Sequence, residues 1–305
     1  MSTVEAPAVV QVVRVRPPEQ KPVEPAPVAP RSHSVRGAVT RSLKILGGLV
    51  LGFVLFLFVM TPLVHGRTQR SLEQSFRTEL GFAQAPLGGA IKQGSAVAVL
   101  QIPEIGVHEV VIEGTSASML KRGPGHLRTS PLPGQPGNSV VAGRRASYGG
   151  PFLHLDRLHR GDTIRVTTGQ GLSIFVVQRV GTVSPGHADP IGPTRDSRIT
   201  LVTSDPVFAA SRRLVAVATL QGDPWAQPDG RPTQLHTDEL GLQGQPGAAG
   251  RVLFWGGVLI VAGIASVWLL RRWPGQVAYV LIAPVMLLLL VLLYDSFAGV
   301  LPATL

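Results

Sequence analysis

A mainly β fold is what this 305-residue sequence predicts, a small closed or nearly closed barrel carried on three transmembrane α-helices. Two patterns predict it. Between Gly94 and Gly222, short β-branched runs alternate with turn chemistry such as P-G-Q-P-G-N and S-P-G-H-A-D-P, the mark of many short strands. About seven strands in so short a stretch suit a barrel better than an open sheet. On either side lie uninterrupted apolar runs long enough to cross a hydrocarbon core of ~30 Å.

The elements follow in order. Residues 1–44 are rich in Pro, Val and Ala, with the run P-P-E-Q-K-P-V-E-P-A-P-V-A-P, and read as a disordered, polyproline-leaning tail. Residues 45–64 contain no charge and read as an uncleaved membrane anchor, because no small-residue cleavage site follows them. Residues 65–93 form a juxtamembrane segment. The barrel domain is 94–222, with candidate strands Val97–Ile102, Val107–Glu113, Ser139–Ala142, Thr163–Thr168, Ser173–Val183, Arg198–Thr203 and Arg213–Leu220. Residues 223–251 are enriched in Pro, Gly and Gln and read as a linker back to the membrane. Runs 252–270 and 277–294 make a helical hairpin, split by R-R-W-P-G.

Charge fixes the expected topology. Arg36, Arg41 and Lys44 precede the first span, and Arg271 and Arg272 sit in the hairpin loop. By the positive-inside rule both segments are cytoplasmic, which leaves the barrel extracytoplasmic in a multi-pass protein of the cell membrane. Arg67, Arg70 and Arg77, just past the first span, count mildly against this. The net charge of +10 is spread along the chain, which argues against a nucleic-acid-binding face. The histidines and acids lack ligand spacing, so neither a metal nor another cofactor is expected.

The succession L-Q-I-P-E-I-G-V, G-P-G-H, L-P-G-Q-P-G-N-S-V-V-A-G, Y-G-G-P-F, L-H-R-G-D-T-I and T-L-V-T-S-D-P resembles the sortases, membrane-anchored cysteine transpeptidases that join surface proteins to the bacterial envelope. The resemblance covers roughly Val97 to Leu220. An amino-terminal anchor with added carboxyl-terminal helices is similar to some sortase classes, the class E-like ones among them. The Ala, Gly, Arg and Pro usage resembles that of a high-GC actinobacterial source. The implied partners are the lipid bilayer and a surface-protein sorting peptide, a peptidoglycan fragment or a membrane protein.

The resemblance also assigns site positions. Sortases use a Cys ending T-L-x-T-C, a His in a G-H-R segment and an Arg on the next strand. Here Ser204 stands at the Cys position and Arg144 at the His position, followed by Arg145. Arg213 stands at the Arg position, with Arg212 the alternative one residue earlier. The chain has no cysteine at all. A hydroxyl does not ionise as a thiol does, and a guanidinium is no base. These changes imply a pseudo-sortase that binds rather than cleaves. The competing expectation is a serine acyltransferase using Ser204, with Arg213 supporting the oxyanion and His126 of G-P-G-H as base; His108 and His154 are weaker candidates. Two further arrangements are expected: Arg144, Arg145 and Arg213 converging on Ser204 as an anion pocket, or Arg144 paired with Asp205 or another acid to fill a vacated site.

Overall fold

The computed structural model describes residues 35–184, 189–207, 210–235, 239, 244–245, 247–272 and 276–304. The chain divides into two compact units, 1–46 and 47–305. Everything that shapes the candidate site lies in the second.

Eight strands close a barrel: β1 (Ala96–Ile102), β2 (Val107–Glu113), β3 (Gly125–His126), β4 (Asn138–Ala142), β5 (Thr163–Thr168), β6 (Gly171–Val183), β7 (Arg198–Asp205) and β8 (Arg212–Gln221). Their order around the barrel is β1-β2-β3-β4-β7-β8-β6-β5. The pairs β2/β3 and β4/β7 are parallel; the others are antiparallel. The seven runs expected as strands are all strands here. β3 is the addition, since two residues of G-P-G-H carry no readable periodicity. The interior is filled by inward-facing residues, among them Val97, Leu100, Ile102, Phe152, Ile164, Phe175, Ile199 and Leu201, as alternation along each strand requires.

Parallel pairing of β4 with β7 places the chain end after Ala142 beside the end after Val202. Thr203 extends this contact, its hydroxyl donating to the Gly143 carbonyl. Residues 143–145 and 203–205 therefore run side by side at one rim of the barrel. The Y-G-G-P-F motif folds over the same rim. Gly150 has φ +51°, and a Cβ there would lie 2.7 Å from the Arg145 carbonyl, so glycine is needed for the turn to approach so closely.

Among the described residues, three helices are long and apolar enough to cross a membrane: Leu46–Gly81, Ala248–Arg272 and Val280–Ala298. The first runs from α1 (Val35–Leu55) through a π-helical turn at Phe56–Met60 into α2 (Thr61–Gly81). Residues 65–81, expected as a juxtamembrane segment, thus continue the anchor helix and lie on the barrel. Phe76 is fully buried there with Ala85, Ala96 and Val110. The Gln69 side chain accepts from the Val110 amide at 2.7 Å and donates to the Arg122 carbonyl at 2.9 Å. Between β2 and β3 lies the single turn α3 (Ala117–Leu120), and α4 (Ala248–Arg272) and α5 (Gln276–Ala298) follow the barrel. Tyr294 of α5 packs on Phe53 and Phe56, with centroids 5.6 and 5.8 Å apart.

Segment 223–235, expected as linker, is tied to the barrel. Trp225 donates its indole N–H to Ser173 Oγ at 2.9 Å and its backbone N–H to the Gly134 carbonyl at 2.8 Å. Arg231 reaches the buried Glu113 at 2.9 Å.

Candidate functional site

Ser204 is the penultimate residue of β7. Alternation puts it on the face of Val202, opposite the interior face of Ile199 and Leu201, and it is 1% exposed. Its Oγ donates to the Thr304 carbonyl oxygen at 3.0 Å. The backbone N–H of Arg145 donates to the same oxygen at 2.9 Å. Two donors from two neighbouring segments thus converge on one peptide carbonyl of the chain's own end. Ala303, just before it, is fully buried with Ala117, Leu120 and Ala142. No motif in the sequence points to this occupant; L-P-A-T at 301–304 lies two residues beyond the last helix and is too short to carry a periodicity.

Arg145 joins the two segments through its side chain as well. Its Nη1 donates to the Ser204 carbonyl and to Asp205 Oδ1, each at 2.9 Å, and Nη2 lies 3.4 Å from Asp156 Oδ2. Asp205 is also paired with Arg212, at 2.9 Å. It is therefore Arg145, not Arg144, that pairs with Asp205. A planar fork suits three acceptors at once.

Arg144 turns elsewhere. Its guanidinium lies over the Tyr148 ring, 4.9 Å from the centroid, and donates to Ser147 Oγ at 2.9 Å and the Ala117 carbonyl at 3.2 Å. Burial pushes its pKa down to about 10, opposed by Tyr148 and Asp295. With that value, only about one guanidinium in a thousand is neutral at pH 7. Arg144, expected from the sequence at the position of a histidine, is thus a cation even after its desolvation.

Arg213 stands directly opposite Ser204 in the β7/β8 register. It lines a cavity of about 70 Å³ with Thr115, Val140, Ala142, Leu235 and Glu239. Desolvation there lowers its pKa. Arg145 thus donates to the Ser204 carbonyl, Arg144 lies over Tyr148, and Arg213 lines the cavity.

His126 is fully buried and both ring nitrogens are engaged. Nδ1 lies 2.9 Å from Glu113 Oε2, and Nε2 lies 2.8 Å from the Pro131 carbonyl and 3.1 Å from Ser130 Oγ. Burial alone would raise the Glu113 pKa, but His126 and Arg231 outweigh it and hold the carboxyl below its ordinary value. The arrangement ties the G-P-G-H loop to β2, in contrast to the role of base toward Ser204. The weaker candidate His108 lies 3.2 Å from Glu73.

A further set of contacts brings α5 to the same rim. Asp295 accepts from Lys121 Nζ at 2.6 Å and from the Tyr148 hydroxyl at 2.8 Å. Tyr148 therefore links Arg144 on one side to α5 on the other.

Comparison with known proteins agrees with this fold. Residues 100–221 match the sortase domain family. Sortase A of Listeria monocytogenes is 28% identical over 131 residues, covering 42% of this chain and 57% of that protein. Sortase SrtE1 of Streptomyces coelicolor is 32% identical over 145 residues, 42% of this chain and 41% of its own. The chain thus spans only about half the length of these relatives. The solved structure of sortase E from Streptomyces avermitilis aligns with 32% identity and a TM-score of 0.39, over 43% of this chain and 91% of that one. The family match runs from within β1 to the end of β8, so the barrel described above is a sortase domain at residues 100–221.

Proposed function

We propose that this protein is a pseudo-sortase: a membrane-anchored envelope protein whose barrel binds a ligand at the old catalytic rim and has lost transpeptidation. The observation that carries this is the Ser204 hydroxyl, whose proton is directed to a peptide carbonyl at 3.0 Å rather than to a base. Nucleophilic serine needs a general base within hydrogen-bond reach. Arg144 is protonated, and His126 is spent on Glu113, Pro131 and Ser130. General acid–base assistance is worth about a hundred- to ten-thousand-fold, and its loss compounds the exchange of thiolate for hydroxyl.

The proposed setting is the cell membrane, with the amino terminus and the 271–276 loop cytoplasmic and the barrel outside. Contacts of residues 301–304 with the barrel support this reading, because they require the carboxyl end of α5 and the barrel to share one side. The ligand classes are those of the family setting: a sorting peptide, a peptidoglycan fragment or a membrane protein.

Full-length protein in nanodiscs, incubated with sorting-signal peptides and an amine acceptor, tests the proposal. No product above background is expected. Cleavage that vanishes in Ser204→Ala would overturn it in favour of the second reading. That reading is a serine acyltransferase using Ser204, Arg213 and His126, and it draws on a peptide carbonyl already lying on Ser204.

A further inference from the structure

The rim around Ser204 is filled by the chain itself. The Thr304 carbonyl takes two hydrogen bonds, from Ser204 Oγ and from the Arg145 amide. Thr304 is 5% exposed and Ala303 is fully buried, in a slot whose walls are Ala117 and Leu120 of α3 and Ala142 of β4. The Ala303 methyl is fully enclosed there, so a long charged side chain at this position would have to displace its neighbours. Hydrogen bonds made in such an enclosed place are stronger than their exposed counterparts.

The segment leading to the slot is fastened too. Lys121 and Tyr148 hold Asp295, and the Gln245 amide donates to the Gly299 carbonyl at 2.8 Å. Gly244 is packed so closely that a Cβ there would lie 2.7 Å from the Val300 carbonyl and 3.0 Å from the Leu301 carbonyl. The carboxyl-terminal residues are thus gripped before the slot and inside it.

We propose that the rim around Ser204 is a peptide-binding site whose resident ligand is this chain's own segment Leu301–Thr304, and that it accepts a peptide of the same Ala–Thr chemistry in trans only when that segment leaves. The inference deepens the binding reading above and rests on it. A tether of a few residues gives an effective concentration in the ~mM range, so the seated segment outcompetes dilute peptide.

The test uses full-length protein in nanodiscs and a fluorescent Leu-Pro-Ala-Thr-Leu peptide, read by anisotropy. The chain truncated after Val300 should bind the probe about tenfold or more tightly than the intact chain, because occupancy lowers apparent affinity by the fraction of open sites. Ala303→Arg in the intact chain should behave like the truncation, and the same change in the probe should abolish binding. Equal affinity of intact and truncated chains, or tolerance of arginine in the probe, would overturn the proposal. Should truncation unfold the protein, the cysteine-free sequence supplies a second measurement. Ala117→Cys with Ala303→Cys should form a disulfide under mild oxidation, slowed by excess probe; absence of the cross-link would also overturn the proposal. Intact mass separates the two readings. Ser204-dependent loss of Leu305 would support the peptide seat while overturning the non-catalytic reading.

Discussion

Arg145 and Ser204 are joined by the Arg145 guanidinium, which donates to the Ser204 carbonyl at 2.9 Å while also pairing with Asp205. The bond ties the chain after β4 to the end of β7, the two segments on which the family places its catalytic groups. Arg145 is 4% exposed, so the pair is sheltered from water. Removing one partner of such a pair leaves the other uncompensated, at a cost of about 3 kcal/mol. Arg145→Ala is expected to lower stability by that amount in thermal or denaturant melts of the full chain. Arg145→Lys should recover less than half, because one ammonium cannot serve the Ser204 carbonyl, Asp205 and Asp156 together.

Glu113 gives a pH dependence with a definite sign. His126 and Arg231 hold its carboxyl below the ordinary 4.5. A carboxyl depressed in the folded state contributes stability above its unfolded pKa and loses it as pH falls through the folded value. The wild type is therefore expected to be insensitive to this group from neutrality down to about pH 4.5, and to weaken below that. Glu113→Gln should lower stability at pH 7 by about 3 kcal/mol, since it strips a buried ion pair of one charge. The acid limb of the melting profile should then be shallower than in wild type.

The anchor helix is predicted to be coupled to the barrel through Phe76. This ring is fully buried against Ala85, Ala96 and Val110, while the strands beneath have their own interior core. Phe76→Ala should cost about 3–5 kcal/mol, and the loss should appear as local undocking. Hydrogen exchange is expected to accelerate in residues 69–81 while strands β5 to β8 keep their protection.

The barrel was legible in the sequence in two ways: period two survives in Thr163–Thr168, which alternates buried and accessible, and Arg213–Leu220, buried on both faces, shows as a continuous β-branched and apolar run. The apolar runs were legible for the same reason of unbroken pattern. β3 was not, because Gly125 and His126 pair by position rather than by side chain. The helical continuation over 65–81 was hidden by polar residues that serve as barrel contacts, Gln69 and His65 among them. At the site, the motif positions singled out Ser204 and, where a histidine was expected, Arg144, but side-chain direction is not encoded in spacing. Adjacent arginines point to different neighbours, Arg145 to Asp205 and Arg144 to Tyr148. The occupant of the rim lies 100 residues beyond Ser204, a separation at which no local pattern signals contact.

Restoring the family's groups, Ser204→Cys with Arg144→His, separates loss of chemistry from loss of access. A thiol at 204 would sit beside the Arg145 amide and guanidinium, a setting that lowers thiol pKa. With the carboxyl-terminal segment in place, the thiol remains covered, because position 204 is 1% exposed. Iodoacetamide is therefore expected to label the double variant slowly, and at least about tenfold faster once Leu301–Leu305 is removed, as a low-pKa and accessible thiolate should react. An imidazole at 144 no longer reaches both Ser147 and the Ala117 carbonyl, so the double variant should also be less stable, by about 1.5–3 kcal/mol for the lost charged hydrogen bonds. Cleavage of sorting-signal peptide is expected only in the truncated double variant. Rapid labelling of the untruncated variant would show that the segment does not cover position 204, and cleavage by it would show that the cover is no barrier to substrate.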